Sequence, residues 1–155
     1  MADTAITINP ARVSPLSEQE RAATGYNYKA TILSTDIAYG TGASDTVTVT
    51  LGATPAKWYI DRGGANIVTA FAGITAATVV VGTTTTTNAV IASTSVLTAA
   101  WVPPASGVSV STNLTATAAR NLVAVFTAAG TGGPAALTAG QMDVYLRVQD
   151  TADLP

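Results

Sequence analysis

The chain has 155 residues, a formal charge of −2 and seven scattered Lys and Arg with no basic run. Nothing in it is arranged to neutralise phosphates, which argues against nucleic acid as a partner. It has no Cys and no His, which removes disulfides, thiolate zinc sites, Cys nucleophiles and Ser-His-Asp triads, and with His the commonest metal ligand and pH switch.

Residues 1–25 carry five of the sixteen charged side chains, at Asp3, Arg12, Glu18, Glu20 and Arg21. Their start lacks the basic and apolar pattern of a secretory signal. Ile6-Thr7-Ile8 alternates like a short strand. Ser17 and Glu20 have capping-box spacing, acids occupy the first turn, and Gly25 is placed to end the helix. This region is therefore predicted to be an extended arm with a short helical turn, preceding one β domain over 26–155.

From Tyr26 onward the period is two. Val47, Val49 and Leu51 face one way and the intervening threonines the other. Met142, Val144, Leu146 and Val148 repeat the pattern, with Asp143, Tyr145, Arg147 and Gln149 facing water. Shorter strands are predicted over Lys29–Thr35, Lys57–Asp61, Asn66–Phe71, Thr78–Val81, Ala89–Ala92, Ser95–Trp101, Val108–Thr112 and Asn121–Thr127. Breakers separate them at Tyr39-Gly40-Thr41-Gly42, Arg62-Gly63-Gly64, Pro103-Pro104 and Gly130 to Pro134. The five threonines from Thr83 to Thr87 read as a turn or β-edge segment. About ten short strands with frequent turns predict an all-β antiparallel sandwich or jelly roll, in one domain.

Gly63 through Ala119 contains no charged residue, a run of 57 positions, and only Arg120 interrupts the neutral stretch before Met142. Turns and threonines break it too often for a membrane span. Charge ordinarily keeps a β-rich surface from sticking to its neighbours. Either the chain tolerates that exposure, as Thr-covered sheets can, or its neutral face meets another protein, where every buried charge would need a partner.

Chemistry-bearing residues are sparse. Asp36, Asp45, Asp61 and the other carboxylates show no spacing of a catalytic pair, and are expected to be solvated strand ends and turns. Asp150 and Asp153 lack the glycine and closing Glu of a calcium loop. The glycines around Thr131 lack the Lys-Ser/Thr of a phosphate loop. No cofactor or metal is expected. Trp58 and Tyr59 face opposite sides of a predicted strand, so one is expected in the core and the other as an interface anchor or a sugar-stacking platform. Trp101 ends a strand and is a rim anchor or a buried ring; aromatics are typical hot spots. Ile6, Ile8, Arg12, Val13, Leu16 and Arg21 are the candidate contacts of the arm.

Val68-Thr69-Ala70-Phe71-Ala72-Gly73, Ala77-Thr78-Val79-Val80-Val81-Gly82 and Ala89-Val90-Ile91-Ala92-Ser93, with strands at Asp45–Leu51 and Met142–Val148, form a pattern over roughly residues 28–149. This pattern resembles the capsid decoration, or cement, proteins of tailed phages and related small virion structural proteins. The resemblance implies a β-sandwich that oligomerises, often as a trimer, and clamps the major capsid protein from outside the head. It implies assembly in the host cytoplasm, with neither nucleic acid nor membrane as partner. Two alternatives come from other classes: a tail, fibre or adhesin module that binds a host glycan, and a small hydrolase using Asp carboxylates.

Overall fold

The computed structural model describes residues 3–7, 13–39, 45–54, 58–104, 120–129 and 133–150. At 3–7, 13, 54, 58, 59, 61, 120, 129, 149 and 150 the description is of the backbone alone. In chain order the elements are β1 (Asp3–Thr7), β2 (Val13–Pro15), α1 (Glu18–Thr24), β3 (Tyr28–Leu33), α2 (Ser34–Ile37), β4 (Thr46–Thr54) and β5 (Trp58–Ala72). They continue as β6 (Ala76–Thr83), β7 (Ile91–Ser95), β8 (Trp101–Val102), β9 (Arg120–Ala129), a 3-10 turn (Pro134–Ala136) and β10 (Ala139–Asp150).

The strands form two five-stranded sheets, ordered β1-β4-β9-β6-β7 and β2-β3-β10-β5-β8. Pairing is antiparallel except where β1 lies parallel to β4. The sheets face one another across a single apolar layer, so the fold is an all-β sandwich. Alternation places the core as the sequence requires. Val47 and Val49 are fully buried and Leu51 nearly so, as are Met142 and Val144 on β10. Phe71 of one sheet meets Phe126 of the other with ring centroids 5.6 Å apart, tilted by 46°.

The helix α1 is set by its ends. Ser17 Oγ accepts the Glu20 N–H at 3.3 Å, and Glu20 Oε2 accepts the Ser17 N–H at 3.0 Å. Gly25, at φ 74°, donates its N–H to the Arg21 carbonyl, a left-handed cap that a side chain would strain. The helix itself buries no residue. Its flanks hold it instead, through buried Leu16 and Tyr26. Asn27 adds a two-way bond to the Val148 backbone, donating Nδ2–H to the carbonyl at 2.6 Å and accepting the N–H at 2.7 Å.

Several expectations need correction. Arg62-Gly63-Gly64 does not break the chain but lies inside the 15-residue β5. Gly63 faces the core, where a side chain would run into Val90 Cγ1. The two glycines make room for neighbours rather than a turn. Lys29–Thr35 ends early, at Leu33, where the one-turn α2 begins and Asp36 Oδ2 accepts the Leu33 N–H at 2.8 Å. Ala89–Ala92 becomes a strand that starts at Ile91.

Ser95–Trp101 is not one strand. Ser95 closes β7 and Trp101 opens β8, while residues 96–100 cross between the sheets. Val96, fully buried, donates to Ala77 O of one sheet and accepts from Phe71 N of the other. Thr83 to Thr86 fold into a turn closed by reciprocal backbone bonds of 3.0 and 3.1 Å. Val108–Thr112, Gly40 to Gly42 and Gly130 to Gly132 lie outside the described residues.

Candidate functional site

Register across the second sheet assembles an outer-face constellation from residues far apart in sequence. Thr31, Asp143, Asn66 and Trp101 lie side by side on β3, β10, β5 and β8. Lys29, Tyr145 and Gly64 form the adjacent row. Gly64 leaves that second row open. A Cβ there would lie 2.7 Å from Trp101 Cζ2 and 3.1 Å from the Tyr26 hydroxyl. The indole leans over the bare backbone, the way aromatic neighbours cover a strand glycine.

Three rings meet there. Tyr26, Trp101 and Tyr145 have pairwise centroid distances of 5.8–6.1 Å and mutual tilts of 42–50°. With Thr24 and Asn66 they line an open depression of about 140 Å³. Trp101 remains 49% exposed, unusual for so large an apolar side chain in this molecule.

Beside the rings sits a covered polar network. Asp143, expected to face water, is 6% exposed. It accepts from Thr31 Oγ1 at 2.7 Å and from Gln141 Nε2 at 3.5 Å, and pairs with Lys29 Nζ at 3.7 Å. These neighbours supply the polar contacts that a covered carboxylate requires. Asp45, also expected to be solvated, is 7% exposed.

The Tyr26 hydroxyl is pushed above its ordinary pKa by burial, with Arg62 pulling the other way. Tyr145 is raised first by burial, then by the charges of Asp143 and Glu20 and by its hydrogen bond to Asp143. Both groups therefore favour the neutral phenol in the folded state. Their contribution to stability is complete below pH about 10 and is lost as pH rises through the folded values. An ultraviolet difference titration of the five tyrosines is expected to show at least two ionising late, and base unfolding to accompany them. Simultaneous titration of all five near pH about 10 in folded protein would contradict this placement.

The candidate contacts fall in different places. Trp101 lies in the aromatic cluster. Leu16 is 5% exposed, covered within its own chain, and Arg21 is exposed on α1. Ile6 and Val13 lie on β1 and β2, and Trp58 and Tyr59 open β5. Ile8 and Arg12 are outside the described residues. The arm region contributes an edge strand to each sheet, β1 to the first and β2 to the second.

Tyr26, Asn66, Gly64 and Thr24 were not singled out by sequence reasoning. Tyr145 carried a signal, its outward position on β10. The others depend on β5–β8 pairing, which no local pattern announces.

Among the described residues no group of three or more Asp or Glu could hold a metal ion. No helix among them is long and apolar enough to cross a membrane. Comparisons with protein families, curated proteins and solved structures found no match. The class defined here is thus that of the fold, an all-β sandwich with an aromatic outer-face cluster.

Proposed function

We propose that this protein is a non-enzymatic virion structural protein, a capsid decoration or cement protein. In this reading it stabilises a phage head by binding the major capsid protein from outside, as a homo-oligomer, most simply a trimer. The observation that carries the reading is a neutral flank. β7 and β8 are the edge strands at one end of the two sheet orders, and residues 96–100 join them. All of this comes from the charge-free stretch. Ala92, Ser93, Ser95, Thr98, Ala99 and Ala100 are exposed along it.

Free β proteins commonly guard such edges with charge. An edge without it suits a surface that a partner covers. A standard interface buries about 800 Å² on each partner, roughly a tenth of the 7456 Å² this chain exposes. Six small side chains fall short of that area. The footprint therefore extends onto Val68 of the adjacent β5, itself 45% exposed. Mass action does the stabilising: a shell that binds this chain at about 100 times its Kd gains about 2.7 kcal/mol per site.

Mass spectrometry of purified virions from the phage that encodes the chain tests the reading. The chain is expected among the particle proteins, and its absence would overturn the proposal. Placing charge on the flank with Ser93→Lys and Ala99→Glu is expected to weaken retention on particles at least about tenfold, since each buried charge lacks a partner. The unfolding midpoint should stay unchanged, because both positions are exposed. Undiminished retention would move the docking surface elsewhere.

A further inference from the structure

The depression on the outer face of the second sheet borders the neutral flank, sharing β8 with it through Trp101, and has the chemistry of a ligand site. Its lining of Thr24, Tyr26, Asn66, Trp101 and Tyr145 holds no ionisable group apart from the two phenols. Charges of both signs surround it. Arg62 acts on Tyr26, while Asp143 and Glu20 act on Tyr145. No one sign of charge dominates these surroundings, so the choice of occupant rests on the rings and the amide.

The rings narrow that choice. Their mutual tilts of 42–50° leave no two faces parallel, which disfavours a flat aromatic ligand stacking on all three. Ring faces are negative and attract positively polarised C–H edges. A puckered ring with C–H groups pointing in several directions meets three such faces at once.

Asn66 sits directly across from Trp101 in the β5–β8 register. Its side chain has no hydrogen-bond partner among the described residues. An amide supplies two donors and an acceptor, a match for adjacent hydroxyls beside the indole. At about 140 Å³ the space is smaller than the roughly 300–1,000 Å³ of enclosed small-molecule pockets, which limits the occupant to one ring at a time.

We infer that this depression binds a neutral saccharide, one uncharged pyranose residue of a surface glycan, against Trp101 with Asn66 as its hydroxyl partner. The site does not depend on the capsid-docking reading.

The test is a glycan array of neutral, sialylated and sulfated glycans, probed with the full chain and with Trp101→Ala and Asn66→Ala. Circular dichroism reports whether each variant folds. The expected result is binding to a subset of neutral glycans, weakened at least about tenfold by either substitution and unaffected by Ser93→Lys, which lies on β7. If Trp101→Ala does not fold, Asn66→Ala, at a partly buried position, carries the test. The inference is overturned if no neutral glycan is bound, if binding is confined to charged glycans, or if the folded variants bind as the parent does.

Discussion

Replacing Phe71 with alanine is expected to cost about 3–5 kcal/mol, the usual range for emptying a buried aromatic site. At this chain length that lowers the unfolding midpoint by roughly 6–20 °C. Phe71 is 2% exposed and reaches across the sandwich to Phe126. Gly140, at φ 146°, leaves the space its ring occupies, since a Cβ there would run into that ring. The site is enclosed by both sheets and is poorly able to collapse around a cavity. Phe71→Leu keeps most of the volume and is expected to cost about half as much or less. Calorimetry or denaturant titration checks both, and a Phe71→Ala midpoint within about 2 °C of the parent would contradict the packing described.

Gly63→Val is the second large effect, expected at about 2–3 kcal/mol from overpacking, although valine has the higher strand propensity. The new Cβ would collide with Val90 Cγ1 and stand 3.4 Å from Leu146 Cδ2. Val90 is fully buried and has nowhere to move. The neighbouring glycine provides an internal control. At Gly64 the obstacle is mainly the half-exposed indole of Trp101, which can swing toward solvent. Gly64→Ala is therefore expected to cost about 1 kcal/mol or less. Equal effects at the two positions, measured in the same denaturant series, would mean that β5 does not present Gly63 to the core.

That contrast shows where sequence reading stops. The alternation at Val47-Val49-Leu51 and at Met142 to Val148 announces half-buried strands, because burial on one sheet face imposes a period of two. The Ser17–Glu20 box with Gly25 announces α1, because capping is local chemistry. Gly63-Gly64 looks like a breaker for the same reason, since glycine ordinarily punctuates. Here the glycines are set by Val90 and Trp101, residues 27 and 37 positions further on. Asp143 reads as wet because it alternates with the core residues Met142 and Val144. Its covering by Lys29 and Thr31 follows from β3–β10 pairing, and Gln141 adds a contact from its own strand. Trp101 could be singled out as a large ring beside two prolines. Tyr145 shows its outward position on β10, but Tyr26 and Asn66 become visible as partners only once the strands are in register.

The neutral flank has the same character. Its lack of charge is plain in the sequence, but its role depends on geometry. The charge-free stretch supplies both edge strands at one end of the sandwich, and Val96 ties the sheets between them. The charged N-terminal segments join the opposite edges, β1 and β2. One flank is thus left without the charges that usually deter edge-to-edge contact.

Hydrogen exchange of the chain, free and bound to purified capsid particles, tests the docking claim most directly. The account predicts new protection over residues 91–100 and around Val68 in the bound state, with α1 unchanged. Protection confined to other elements, or an exchange pattern identical with and without particles, would contradict it.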